Sequence, residues 1–116
     1  EEEDRDMISV KDAKGTPYDA AKHSFVYGLK KFVEGQQTKR ISVMYSYFQP
    51  NGGAEMSASD KERIYYVVKG SITVNGKGES HILNAGDLIY IGPGESRDMA
   101  INEGKPAEVL VFVVTP

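Results

Sequence analysis

From residue 40 onward, apolar positions fall in short β-branched and aromatic runs, each closed by glycine, proline or asparagine. Residues 41–48 (Ile-Ser-Val-Met-Tyr-Ser-Tyr-Phe) lead into Pro50-Asn51-Gly52-Gly53, and residues 64–68 (Ile-Tyr-Tyr-Val-Val) lead to Gly70. Runs of this kind, bounded by turn residues, predict strands. The next run, 71–74, meets Asn75-Gly76, a dipeptide suited to a two-residue hairpin because both central positions need positive φ. Residues 80–83 follow, then a turn over Asn84-Ala85-Gly86-Asp87, the run 88–91 and the turn Gly92-Pro93-Gly94. Between 97 and 102, Met99 and Ile101 alternate onto one face. Residues 109–114 are apolar throughout, which predicts a strand buried on both sides. Many short strands at this spacing predict an all-β sandwich or barrel.

Residues 18–33 carry two competing signals. Ala21, Phe25, Leu29 and Phe32 follow helical spacing, but Gly28 interrupts them and Phe25-Val26-Tyr27 has β character. The strand is the expected outcome: residues 25–33, paired with 40–48 across the polar loop 34–39.

Composition narrows the chemistry. The chain has 116 residues, 40% hydrophobic and 27% charged, the size and balance of one globular domain. With no cysteine and only two histidines, His23 and His81, thiol nucleophiles, iron–sulfur clusters and three-imidazole metal sites are excluded. Of the net charge of −3, residues 1–6 hold −4 (five carboxylates against Arg5), which leaves +1 for residues 7–116. Residues 1–6 are expected to be an acidic tail and 7–116 the single domain. A near-neutral body offers no basic stripe for nucleic acid and no polybasic membrane patch. No apolar run approaches a membrane span and no signal peptide opens the chain, so a soluble, cytoplasmic protein is expected.

Two segments resemble the conserved β-barrels of the cupin superfamily. One is Pro50-Asn51-Gly52-Gly53 followed by Arg63-Ile64-Tyr65-Tyr66-Val67-Val68-Lys69-Gly70. The other is Gly86-Asp87-Leu88-Ile89-Tyr90-Ile91-Gly92-Pro93-Gly94. The resemblance implies a double-stranded β-helix, the cupin jelly-roll barrel, and a homodimer formed by sheet packing or strand exchange. In metal-dependent members, a His-x-His pair, a carboxylate before the Tyr-rich strand and a late His hold the ion. Those positions fall here on Ser57, Ser59, Arg63 and Arg97. A guanidinium has no lone pair to offer, and two arginines repel a cation, so no metal and no cofactor is expected. Glu62 is turned away from Arg63's side by strand alternation.

The resemblance implies that Ser57, Ser59, Arg63 and Arg97 converge in one cavity. Two forked cationic donors with two hydroxyls make a receptor for a small carboxylate or phosphate. Tyr65 shares Arg63's strand face, and Tyr45, Tyr47, Tyr90 and Met99 are candidates for the apolar wall. The competing structural account pairs Arg63 with Glu55, and Arg97 with Glu95 or Asp98, in a filled barrel. Glu55 is the candidate carboxylate for proton transfer. His81 is expected on a solvated face and His23 at the surface or as a lid, and the alternating strand positions offer no His–Asp pair with a tyrosine of the kind that the resemblance implies for metal-independent sugar epimerases. Three functions follow: a metal-independent binder of a small anion, a metal-free isomerase or lyase acting on a small carboxylate or sugar acid, or a dimerisation module.

Overall fold

The computed structural model describes residues 7–18 and 23–116; the acidic tail lies outside them. Among the described residues the elements are all strands: β1 (Thr16–Tyr18), β2 (His23–Phe32), β3 (Ile41–Ser57), β4 (Glu62–Lys69), β5 (Ser71–Gly76), β6 (Glu79–Asn84), β7 (Leu88–Ile91), β8 (Arg97–Ile101) and β9 (Ala107–Val114). They form one antiparallel sheet in the order β6-β5-β8-β3-β9-β4-β7, extended from β3 by β2 and then β1. Rolled up, this is a nearly closed jelly roll whose unpaired edges among the described residues are β6, β7 and β1.

β3 makes the roll possible. Residues 41–48 pair with β9 and β2, while Gly53, Ala54 and Ser57 pair with β8, so one strand passes from one wall to the other. Asn51 bends there at φ 67. Gly53 is required by close approach, since a Cβ built on it would lie 2.4 Å from the Met99 carbonyl oxygen across the ladder.

Alternation along the strands then fills the interior. Val67, Ile72 and Val109 are fully buried, with Phe48, Val74, Leu83, Met99, Ile101, Ala107, Val111 and Val113 around them. Each fully buried aliphatic chain contributes roughly 1.5–3 kcal/mol of transfer free energy. Val67 pairs with Val109, and Ile72 with Ile101, so these residues plug one end of the barrel. The opposite end, where β4 and β8 begin, presents Arg63 and Arg97 instead.

Three elements differ from expectation. The hairpin turns at Lys77-Gly78, not at Asn75-Gly76, and only Gly78 has positive φ (76°). Asn75 and Gly76 keep ladder partners on both sides, β6 and β8, and Asn75 Nδ2 donates to Asp98 Oδ1 at 3.0 Å. A turn two residues earlier forfeits those bonds. β9 buries only its inner face fully, its outer residues being half-buried, because the wall is one sheet thick there. Finally, β1 pairs with β2, and the Tyr18 ring lies where a Gly28 Cβ would be (2.4 Å).

Candidate functional site

The open mouth is built from strand starts and ends. Arg63 at the beginning of β4 pairs with Ile91 at the end of β7 and with Val113 near the end of β9. Arg97 opens β8 opposite Ser57 and Gly76. Both arginines occupy inward positions of strands whose later inward residues, Tyr65 and Met99, are buried.

Arg97 is held rigidly. Its Nη1 donates to the Ser57 carbonyl (2.6 Å) and Oγ (3.0 Å), and its Nε to the Tyr65 hydroxyl (3.3 Å). Ser57, Tyr65, Arg97 and Met99 therefore come together, lining a tight recess with His23, Glu55 and Asp98. Arg63 lies beyond Tyr65; the residue is half-buried, and its buried Nε has no hydrogen-bond partner among the described residues. Burial holds its pKa below the usual arginine value, and the Arg97 charge lowers it further. Among the described residues neither arginine forms an ion pair, so the pairings with Glu55, Glu95 and Asp98 expected of a filled barrel are not formed.

Several sequence candidates stand elsewhere. Ser59 Oγ accepts from the Lys61 backbone N–H (3.2 Å), capping the β3–β4 turn. Tyr45 and Tyr47 fall on the outer face of β3, because Met44, Ser46 and Phe48 take the inner positions. There Tyr45 donates to Glu108 Oε1 (2.6 Å) and stacks near Tyr47 (4.8 Å), which in turn faces Tyr27. Tyr90 is 58% exposed and donates to Glu62 Oε1 (2.8 Å), although its ring edges the mouth. Glu55 is exposed. His23 stacks on Phe48 at 6.3 Å.

Two cavities flank the mouth, one on either side of Arg63's strand. The first, about 250 Å³, is lined by Arg97, Ile89, Ile91, Tyr90, Glu95 and Ser96, together with Glu79 and His81 of β6. Here His81 Nε2 lies 2.8 Å from Glu79 Oε1. A carboxylate only accepts, so Nε2 is the donor in that contact, the kind of hydrogen bond that orients a histidine base. His81 is exposed, as expected, and its neighbour is a glutamate rather than the aspartate of a His–Asp pair; residues 79 and 81 are two apart on one strand and so share a face. That spacing was the signal available in the sequence. The second cavity, about 220 Å³, is lined by Lys30, Lys61, Arg63, Glu34, Ser42 and an apolar wall that includes Met44 and Val113.

The residues do not suit a divalent cation. Where metal-dependent relatives carry imidazoles and a carboxylate, this mouth carries guanidinium groups and hydroxyls, and among the described residues no three His, Cys, Asp or Glu side chains cluster as ligands.

Comparison with known proteins agrees with the architecture. A family model described as "Cupin domain" matches residues 44–113. A β-D-galactosidase of Mycobacterium tuberculosis is 30% identical over 83 residues, covering 72% of each chain. Among solved structures, the polyketide cyclase RemF of Streptomyces resistomycificus superposes with a TM-score of 0.81 at 19% identity, covering 93% of this chain and 79% of its own. A predicted oxalate decarboxylase of Thermotoga maritima gives 0.82 at 16% identity, covering 94% of this chain and 100% of its own.

Proposed function

The chain belongs to the cupin family, and within that family we propose that it is a metal-independent binder of a small anionic metabolite, a carboxylate or phosphate, at the open mouth of the barrel. One observation carries this reading: Arg97 lines the first cavity and Arg63 the second, the two charges lie close enough to act on each other, and no carboxylate pairs with either among the described residues. Half-buried cations normally find anions, and the cost of leaving them unpaired is several kcal/mol at full burial. An anion from outside the chain relieves that cost. The partner is a small molecule, and the outer sheet face is proposed to meet a second copy.

A thermal-shift screen with small carboxylates and phosphates tests the reading. Ligands should raise the melting temperature of the native chain, and Arg63→Gln and Arg97→Gln should each reduce that shift. Full retention of the shift in both variants sinks the proposal.

The Glu79–His81 pair favours a second reading, a metal-free isomerase or lyase. In it His81 Nδ1 removes a proton from the carbon beside a bound carboxylate, and Arg97 stabilises the resulting enolate-like charge. The best-binding sugar acids from the screen should then exchange that carbon-bound hydrogen in deuterated water. His81→Gln should slow the exchange by about 10²-fold. An absence of exchange leaves binding as the function.

A further inference from the structure

The two cavities have opposite electrostatic character. Lys30, Lys61 and Arg63 converge on the second against the single carboxylate of Glu34, and among the described residues none of these cations forms an ion pair. Lys30 Nζ lies over the Tyr18 ring, 5.5 Å from its centre, which holds it at the wall without neutralising it. Ser42 Oγ accepts the Glu34 backbone N–H (3.0 Å), so its own hydroxyl proton stays available for donation. The Arg63 Nε is an additional buried donor with no partner. Three cations and a hydroxyl match a group with a double negative charge and three acceptor oxygens.

The first cavity repels such a group. It sets Glu79 and Glu95 against Arg97, with His81 occupied by Glu79. Two carboxylate acceptors, one fixed guanidinium donor and the Tyr90 ring suit a neutral body rich in hydroxyls, which donates to the carboxylates and accepts from the arginine. Ile91 of the first cavity and Val113 of the second are the two cross-strand neighbours of Arg63, so a single strand separates the cavities.

We infer that the ligand is a phosphorylated polyol or sugar, its phosphate held by Lys30, Lys61, Arg63 and Ser42 and its hydroxyls by Glu79, Glu95 and Arg97. This rests on the mouth being an anion site and names the ligand class. The two halves bind weakly when separate, and linking them raises affinity because the second contact becomes intramolecular.

Calorimetric titration at low ionic strength with inorganic phosphate, galactose and galactose 6-phosphate tests it. The sugar phosphate should bind at least tenfold more tightly than phosphate or galactose alone. Lys61→Ala should weaken phosphate and sugar phosphate at least fivefold, and raised salt should do the same. Glu79→Gln should weaken the sugar phosphate while leaving inorganic phosphate unchanged. Melting temperatures of the ligand-free variants report whether each still folds, and a Lys30→Ala/Lys61→Ala pair serves if Arg63→Gln does not. Phosphate binding that follows Arg97→Gln rather than Lys61→Ala overturns the inference but leaves the mouth an anion site. A sugar phosphate no tighter than phosphate also overturns it. Failure of every anion to bind removes both the inference and the reading beneath it.

Discussion

At the scale of single residues, the same side-chain type does different work on the two sides of one wall. Tyr65 faces inward and orients Arg97, whereas Tyr45 faces outward and donates to Glu108. Burial first, and then that hydrogen bond, push the Tyr45 pKa well above the ordinary tyrosine range; Tyr47 is raised in the same direction, again by burial first. A folded-state pKa above the unfolded one means that the stabilisation is fully present below pH ~10 and is lost as the pH climbs past it. Tyr45→Phe should cost about 1 kcal/mol at neutral pH through loss of the hydrogen bond. It should also flatten the alkaline decline. Melting temperatures at pH 7 and pH 11 check this: the native chain should lose more between them than the variant, and an equal loss counts against the assignment. The identity of these residues was plain in the sequence, but their direction was not. Tyr45 and Tyr47 alternate with Met44, Ser46 and Phe48, both sets contain bulky side chains, and only the register with β9 decides which set enters the barrel.

At the scale of elements, turn chemistry and apolar runs located most strands, because both are local properties. What was hidden depends on long-range pairing. The sequence places a hairpin turn at Asn75-Gly76 on local grounds, yet β8 recruits those residues as a neighbouring strand and the turn moves to Lys77-Gly78. Gly28 reads locally as a break in a helix or strand. Its role is to leave room for the Tyr18 ring of β1, a strand too short to show a period of its own. The candidate site divides in the same way. Arg63 and Arg97 were legible as substitutions at motif positions, and Ser57, Tyr65 and Met99 do gather with Arg97. Lys30 and Ser42 were not legible, since they reach Arg63 only through the pairing of β2 with β3 and of β3 with β9.

At the scale of the whole molecule, the barrel is closed with side chains at one end and polar at the other, and its outer wall is unevenly covered. Tyr27, Ile41, Ile64, Leu88 and Tyr90 are 37–60% exposed on outward positions of β2, β3, β4 and β7. An exposed apolar face of this kind suits a second copy packed sheet against sheet. Light scattering coupled to gel filtration should give twice the 12.8 kDa chain mass, and Leu88→Asp, a change at an exposed position, should shift the chain towards the monomer. A monomeric native chain at micromolar concentration removes that expectation. The open end carries a different consequence. Because neither Arg63 nor Arg97 forms an ion pair among the described residues, an anion that supplies one from outside stabilises the fold by mass action. Proteases act on the unfolded fraction, so a chain that has met its anion outlives one that has not. The amount of this protein would then rise and fall with the supply of its own ligand, and its turnover would act as a record of that supply.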